Sequence, residues 1–432
     1  MTAAKPAFLT DPALVAVLDA LPDARVVGGA VRDTLAGRPV ADIDLATALV
    51  PADVVAALAA AGIRTVPTGL DHGTVTAVSG GRGFEITTLR RDVATDGRRA
   101  TVVFSTDWRE DAERRDFTIN AMSMDRDGAV YDYFGGVSDL SAGVLRFVGD
   151  PAVRIAEDYL RILRFFRFFA RYGTGAPDPA AVAAIRAGVP GLAALSVERV
   201  WHELQGLLAV PSCGAAVALM AETGVLAAVL PEGASVAGLE RLLAADAPAD
   251  PLLRLAALLT GDAAAAAVRL KLSVADRDRL MALRLPCPVA PGDGDAALRR
   301  ALAEDDPAVL VGRAWLTGAD EPGWAALRAR LLAMPRPVFP LEGRHVLGLG
   351  VSPGPLVGTL LRDVRAWWLE RGCADDAAAC LAAVRERLQS DPSPPPPAGG
   401  GRGEGAVPLF RDNRDTAPPP PGPLPQGERE EY

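Results

Sequence analysis

The sequence predicts an α+β protein in which a head with a mixed β-sheet precedes an all-helical neck and body and a disordered tail. Three observations support this fold class. The first 150 residues alternate short β-like runs with helical ones, one helical pattern follows another from about Pro151, and the chain after about Ser390 is rich in Pro and Gly. The expected units are a head over 1–150, a neck over 151–215, a body over 216–390 and a tail over 391–432.

The head is predicted from five strand-like runs, "RVVGGA", "ADIDLAT", "IRTVPT", "TVTAVS" and "FEITTLR", and from two helical ones, "DPALVAVLDAL" and "PADVVAALAAAG". The stretch over 90–110, "RRDVATDGRRATVVFSTDWRE", carries many charges and is predicted as a mostly exposed loop. The tail has almost no large apolar residues, so burial cannot offset the entropy cost of ordering it.

Bulk properties restrict the class of protein. The chain has 432 residues, half of them hydrophobic, which is too long for one ordinary core. Its cysteines form no Cys-x-x-Cys pair, which argues against a zinc site or a disulfide framework and fits a reducing cytosol; they are Cys213, Cys287, Cys373 and Cys380. No targeting or membrane segment is evident, so we expect a cytoplasmic protein. The net charge of −9 argues against a general nucleic-acid coat, although local arginine clusters matter more than the sum.

Two aspartates lie at the end of an apolar run, shortly after a paired glycine. Side chains at i and i+2 of a strand share one face, so Asp42 and Asp44 would present two carboxylates together. Such a pair needs a cation, and hard oxygen ligands select Mg²⁺, which completes its shell with water and substrate phosphates. Gly28 and Gly29 permit close backbone approach to a ligand, and Arg32 can reach a phosphate oxygen.

Simpler interpretations of these motifs stay open, because a lone Asp-x-Asp also suits a solvated strand end and a lone Gly-Gly an ordinary turn. "GGAVRD" is not the Gly-x-Gly-x-x-Gly of dinucleotide-binding proteins, and the chain has no Gly-Lys-Ser/Thr phosphate loop. In strand–turn–helix–strand order, the motifs together favour a nucleoside triphosphate with Mg²⁺.

Two later stretches agree with a nucleotide site. The first, "DAERRDFTINAM", carries Arg114, Arg115, Asp116 and Asn120 on a predicted helix, which is either a solvated face or a clamp for sugar and phosphates. The second, "EDYLRILRFFRFFARYG", spaces Arg161, Arg164 and Arg167 at three-residue intervals along an amphipathic helix, with Asp158 three residues before Arg161. That spacing predicts that Asp158 and Arg161 lie close together.

The motifs "GGAVRD", "DIDLAT", "RRDFTINAM" and "EDYLRILRFFRF", in this order and spacing, resemble the bacterial class II tRNA nucleotidyltransferase and poly(A) polymerase family. The likeness covers about 25–215 and is weaker beyond, where "GVLAAVLPE" is similar to the family's segment after the neck. It implies a nucleotidyltransferase-fold head. The final forty or so residues resemble nothing in the family.

The resemblance also implies roles for individual residues. Asp42 and Asp44 would bind Mg²⁺, while the glycine turn and Arg32 would bind the triphosphate. The other nucleotide contacts would be Arg115 from the head and, from the neck, Asp158, Arg161, Arg164 and Arg167. Catalytic sites of this kind often use a third carboxylate, for which Glu85 is the candidate; it is equally well explained as a glutamate at a strand edge.

The function expected from these features is CCA addition, the Mg²⁺-dependent transfer of CMP and AMP from CTP and ATP to the 3′ end of tRNA without a nucleic-acid template. Cytosine and adenine both offer an amino donor beside an unprotonated ring nitrogen, which a carboxylate next to a guanidinium would complement, as in Asp158 and Arg161. A poly(A) polymerase, a partial CC- or A-adding enzyme and a catalytically silent RNA-binding protein stay open. The histidines, His72, His202 and His345, form no His-Asp dyad, so a phosphohydrolase finds no support. The body is expected to bind tRNA, with no membrane and no stable protein partner.

Overall fold

The computed structural model describes residues 5–69, 73–95 and 100–390, and the α+β architecture is confirmed. The predicted tail, 391–432, and His72 lie outside the described residues. Within the described ranges, no helix is both long enough and apolar enough to cross a lipid bilayer.

The head contains all five predicted strands and four more. Its strands are β1 Arg25–Val27, β2 Asp44–Thr47, β3 Arg64–Gly69, β4 Thr74–Ser79, β5 Arg82–Thr88, β6 Arg90–Thr95, β7 Ala100–Phe104, β8 Ser123–Met124 and β9 Val130–Tyr131. Its helices are α1 Pro12–Ala20, α2 Gly29–Leu35, α3 Pro51–Ala60, α4 Trp108–Glu113 and α5 Gly136–Ala142, with 3₁₀ turns at Ala7–Thr10 and Thr118–Asn120.

Seven of these strands form one sheet in the order β3-β4-β5-β2-β1-β8-β9. β2 is parallel to β5 and antiparallel to β1, so the sheet is mixed as predicted. The register sets Asp44 opposite both Val27 of β1 and Glu85 of β5. Neighbouring residues on the other face, among them Val26 and Leu45, are fully buried in the head core. In β2 only Asp44, its first residue, is exposed, so the carboxylate lies at the open end of the strand.

The prediction of a loop over 90–110 is wrong. β6 and β7 pair as an antiparallel two-stranded sheet, and α4 begins at Trp108. The run "ATVVF" is rich in β-branched and aromatic residues, which favour a strand. The charged residues around it obscured that signal.

The regular elements that the structure describes between Pro151 and Ser390 are all helices. The helices are α6 Pro151–Glu157, α7 Leu160–Tyr172, α8 Pro179–Gly188, α9 Val197–Leu208, α10 Gly214–Glu222, α11 Val225–Val229, α12 Val236–Ala244, α13 Pro251–Leu258, α14 Ala263–Arg269, α15 Val274–Leu283, α16 Asp295–Glu304, α17 Pro307–Gly318, α18 Trp324–Ala333, α19 Gly343–Leu347, α20 Pro355–Glu370 and α21 Ala377–Ser390, with a 3₁₀ helix at Val189–Ala194.

An aromatic cluster joins the head to the neck. Phe117 and Phe147, which belong to the head, pack with ring centroids 4.9 Å apart, and Phe168 of α7 lies 5.5 Å from Phe117. Phe165 stacks on Phe147 at 5.8 Å. These rings belong to a single hydrophobic core that continues into the body. Because one side of α7 is buried here, its arginine-bearing side is turned towards the head.

Candidate active site

A glycine turn connects β1 to α2. Gly28 has φ +62°, a backbone angle that residues with a side chain rarely adopt. Its N–H donates to the Met122 carbonyl at 3.3 Å. A Cβ at Gly28 would lie 3.2 Å from the Arg115 Nη1 atom. A glycine is thus required here both by the backbone angle and by the close approach of a guanidinium, and Gly29 begins α2 directly after it.

The three predicted carboxylates share one open edge of the sheet. β2 begins at Asp44, and Asp42 lies in the extended segment before it, with the buried Ile43 between them. Asp42, Asp44 and Glu85 are all exposed and line one depression of about 480 Å³. The pKa of Asp44 is raised, first by burial of its carboxyl group against the protein and then by the negative charges of Glu85 and Asp42, while Arg115 opposes the shift.

The donor set fits a hard cation held partly by substrate. Among the residues that the structure describes, no group of three or more His, Cys, Asp and Glu is placed to hold a metal ion. Mg²⁺ is usually held by only one or two carboxylates, with water and phosphate oxygens completing its shell. Bound there, a cation would relieve the mutual repulsion that raises the pKa of Asp44.

Arg32 lies buried at the inner wall of the site, only 7% exposed. Its Nε and Nη2 atoms donate to the Asp33 carboxylate at 3.1–3.2 Å, and its Nη1 donates to Asn120 Oδ1 at 2.6 Å. The guanidinium lies 5.0 Å from the Phe168 ring centroid and 4.6 Å from that of Tyr172. Arg32 is therefore held by contacts from both head and neck.

The prediction that Arg114, Arg115, Asp116 and Asn120 share one helix is wrong. α4 ends at Glu113, and the chain then pairs with the 146–148 segment, where the Val148 N–H donates to the Asp116 carbonyl at 3.1 Å, before the 3₁₀ turn that contains Asn120. That pairing supplies backbone hydrogen bonds which compete with continuing the helix.

One buried aspartate in α4 organises the two arginines that follow it. Asp111 accepts from Arg114 Nη2 at 2.7 Å and from Arg115 Nη2 at 3.0 Å. Burial alone would raise the pKa of Asp111, but the charges and hydrogen bonds of the two arginines hold it below its ordinary value. Arg115 is thereby directed towards Gly28, and its Nη1 also donates to the Asn120 carbonyl at 3.4 Å.

Asp158 and Arg161 lie close together, as predicted, because the Arg161 N–H donates to the Asp158 carbonyl at 3.0 Å, but their side chains have different partners. The neck segment is two helices, with the break at Asp158, whose extended backbone separates α6 from α7. The Asp158 carboxylate accepts from Arg199 Nη2 at 2.7 Å. Arg161 instead donates to Glu157 Oε2 at 2.5 Å and to the Arg114 carbonyl at 3.1 Å.

The other two neck arginines are paired with buried acids. Arg164 Nε donates to Asp116 Oδ2 at 2.8 Å, and Arg167 Nε donates to Glu203 Oε2 at 2.5 Å. Burial alone would raise the pKa of Asp116, yet the charge of Arg164, with hydrogen bonds from Asn120, Arg164 and the Phe117 N–H, lowers it below the ordinary value. Glu203, on α9, is only 3% exposed.

Head and neck together enclose a cleft of about 330 Å³, which meets the carboxylate depression at Asp44. Most of the predicted nucleotide-binding residues line it, whereas Arg167 does not. The lining residues are Gly28, Gly29, Arg32, Asp44, Arg114, Arg115, Asp116, Asn120, Asp158, Arg161, Arg164 and Phe168.

Sequence reasoning missed several supporting residues. Glu157 could have been found, because it precedes Arg161 by four residues, the spacing of a helical ion pair. Arg199 and Glu203 lie 41 and 36 residues from their partners, and no spacing rule connects them. Asp33 adjoins Arg32 in sequence and carried no separate signal.

Comparisons with known proteins show the family to which the chain belongs. The model of the "Poly A polymerase head domain" matches residues 24–146, and that of the "Probable RNA and SrmB- binding site of polymerase A" matches residues 176–236. The mitochondrial CCA tRNA nucleotidyltransferase 1 of Danio rerio is 36% identical over 80% of this chain and 83% of its own length. The chain belongs to the class II CCA tRNA nucleotidyltransferase family.

Bacterial members of this family are similar over a shorter span. The CCA-adding enzyme of Geobacillus stearothermophilus is 42% identical over 51% of this chain and 53% of the relative. The fold match extends further: the crystal structure of the Bacillus stearothermophilus CCA-adding enzyme in complex with CTP superposes with a TM-score of 0.69 at 29% identity, over 88% of this chain and 98% of that chain. Nucleotidyltransferases of this family typically use a divalent metal ion. The family resemblance noted from the motifs is confirmed.

Proposed function

We propose that this chain adds two cytidines and then an adenosine to the 3′ end of tRNA, with CTP and ATP as substrates. The observation that carries the proposal is the cleft in which the glycine turn and Asp44 of the head face Asp158 and Arg161 of the neck. A single nucleotide can thus meet the carboxylate edge with its phosphates and the neck with its base.

The reaction joins the 3′ oxygen of tRNA to the α-phosphorus of the nucleotide, breaks the bond between that phosphorus and the bridging oxygen, and releases pyrophosphate and the hydroxyl proton. Asp42 and Asp44 would hold Mg²⁺, and Glu85 is the candidate third carboxylate. Mg²⁺ when bound lowers the cost of the negative charge on the attacking and leaving oxygens. The carboxylates would hold that cation at the open edge of the sheet, beside the cleft in which the phosphates would lie.

Triphosphate binding is assigned to the head wall of the cleft. Gly28 and Gly29 leave the backbone open to close approach, because neither carries a side chain. Arg32 and Arg115 supply positive charge at either side of this turn, and each is already oriented by an aspartate. Preorganised charge of this kind favours the triphosphate without a reorganisation cost at the moment of reaction.

Base selection is assigned to the neck wall. Asp158 would accept from the exocyclic amino group of cytosine or adenine, and Arg161 would donate to the adjacent ring nitrogen or carbonyl. Each is positioned separately, Asp158 by Arg199 and Arg161 by Glu157. Arg164 extends the same wall, whereas Arg167 supports it through Glu203.

The domain roles follow the same division. The head, 1–150, carries catalysis, the neck, 151–215, reads the base, and the body, 216–390, contacts tRNA. Binding of tRNA by an acidic chain would depend on local arginine patches and weaken with salt. A cytoplasmic location stays a prediction of the sequence, and the Danio rerio relative is named as a mitochondrial enzyme.

The deciding experiment supplies three tRNA transcripts, ending before CCA, after C and after CC, with each labelled nucleotide in turn. We expect C addition to the first two and A addition to the third, none of it by the Asp44→Ala variant. Addition of C alone or of A alone would identify a partial enzyme, and repeated A addition a poly(A) polymerase. Binding of tRNA with no addition would identify a catalytically silent RNA-binding protein.

A further inference from the structure

The residue that follows Arg32 binds groups from two separate helices. The Asp33 carboxylate is 9% exposed and accepts from Arg32 of its own helix, α2. It also accepts a hydrogen bond from the hydroxyl of Tyr172, the last residue of α7. Arg171 Nη2 lies 3.9 Å from its second oxygen. One carboxylate thus joins the proposed triphosphate-binding arginine to the end of the neck helix.

Tyr172, the residue of α7 that donates to Asp33, also contacts arginines. Three guanidinium groups lie near its ring centroid, those of Arg32 at 4.6 Å, Arg38 at 5.0 Å and Arg171 at 5.6 Å. Arg38 Nη2 also donates to the Arg171 carbonyl at 2.6 Å. Burial and the hydrogen bond to Asp33 raise the pKa of Tyr172, against the opposing charge of Arg32, so the hydroxyl stays a donor at neutral pH.

These contacts fix α2 relative to α7. The start of α7 carries Arg161, which is assigned to the base, whereas α2 carries Arg32, which is assigned to the triphosphate. The distance between the residue assigned to the base and the residue assigned to the triphosphate therefore depends on how the two helices are held together. Asp33 is the side chain that both share, because it binds Arg32 directly and α7 through Tyr172.

We propose that Asp33 and Tyr172 are positioning residues for nucleotide binding, which hold the Arg32 guanidinium in register with the neck. Neither residue is among those lining the cleft, so they act through Arg32. Because this role presupposes that Arg32 binds the triphosphate, it rests on the proposed function. A nucleotide's triphosphate is common to CTP and ATP, so the effect is the same for both.

Direct binding of CTP and ATP to the full chain in Mg²⁺, measured by titration calorimetry, tests this role. Tyr172→Phe keeps the ring that the arginines contact and removes only the hydroxyl. We expect it to raise the Kd of both nucleotides by about fivefold, and Asp33→Asn by more than about tenfold, as for loss of hydrogen bonds to charged groups. Inorganic tripolyphosphate, which has no base, should lose affinity by the same factor.

The matched control is Tyr131→Phe, because the Tyr131 hydroxyl also donates to a carboxylate, that of Asp125 at 3.0 Å, and lies outside the cleft. It should leave every Kd unchanged. Wild-type affinity in both Tyr172→Phe and Asp33→Asn would overturn the positioning role. So would a changed ratio of CTP to ATP affinity, since the base would then be affected. Failure of the wild type itself to bind CTP would instead overturn the proposed function.

Discussion

The carboxylate edge of the head and the neck wall of the cleft handle charge in opposite ways. At the carboxylate edge, Asp42, Asp44 and Glu85 are exposed, and across the described ranges no arginine or lysine forms an ion pair with any of them. On the neck wall every arginine of the site has a carboxylate partner, and those partners are Glu157, Asp116 and Glu203.

The difference shows which of the two regions is complete before substrate arrives. Burial, followed by the negative charges of Glu85 and Asp42, raises the pKa of Asp44 against the opposing charge of Arg115, so a bound cation would favour its charged form. The neck arginines are already fixed by charge-assisted hydrogen bonds, which suits the base reading proposed for this wall. Removing a group should therefore have different consequences in the two regions.

The largest effect is expected from the carboxylate edge. Asp42→Ala or Asp44→Ala removes a proposed cation ligand, and stabilisation of the transition-state charge by a cation is worth several kcal/mol. The kcat for CMP addition should therefore fall at least about a thousandfold. Little core is lost, since both residues are exposed, and the far-ultraviolet circular dichroism spectrum should match that of the wild type. Substantial turnover by either variant in Mg²⁺ would contradict the metal assignment.

On the neck wall, loss of an arginine should lower the stability of the protein. Arg164→Ala leaves Asp116 buried without its main cation and should lower the free energy of unfolding at pH 7 by about 3 kcal/mol. The lowered pKa of Asp116 contributes stability above its ordinary pKa of about 4, and this is lost as the pH falls through the folded value. The difference between wild type and variant in urea unfolding should therefore shrink on acidification.

The control for that experiment is an exposed pair. Arg126→Ala breaks the ion pair with Asp19, in which both side chains are more than 40% exposed, so it should cost less than about 1 kcal/mol. Equal losses in Arg164→Ala and Arg126→Ala would show that the Asp116 pair is no stronger than a surface contact.

Base selection should change by a smaller amount. Asp158→Ala should lower the ratio of kcat/KM for CTP over UTP roughly 5- to 30-fold. This corresponds to about 1–2 kcal/mol, as for loss of a base contact. Since Arg199 positions Asp158, Arg199→Ala should change the ratio in the same direction by less. If both variants keep the wild-type ratio, the neck wall does not select the base.

The sequence predicted the elements of the head better than the contacts of the neck. The strand with Asp44 was predictable because polar and apolar residues alternate along it, whereas β8 and β9 have two residues each and are too short to show a period. The break at Asp158 was missed because the apolar spacing continues across it. The partner of Asp158, Arg199, belongs to another helix and becomes visible only when the chain has folded.

The smallest effect is expected on the Tm of the protein without metal, through the charge of Asp44. The raised pKa of Asp44 means that its stabilising contribution is present below the ordinary pKa and is lost as the pH rises through the folded value, so its charge costs stability at pH 7. Asp44→Asn should therefore raise the Tm in EDTA, but by at most about 2 °C, because the residue is exposed and solvent screens the repulsion. Mg²⁺ should raise the Tm of the wild type more than that of the variant. A lower Tm for Asp44→Asn in EDTA would show that the carboxylates are not in repulsion, and equal Mg²⁺ responses would show that Asp44 does not hold the cation.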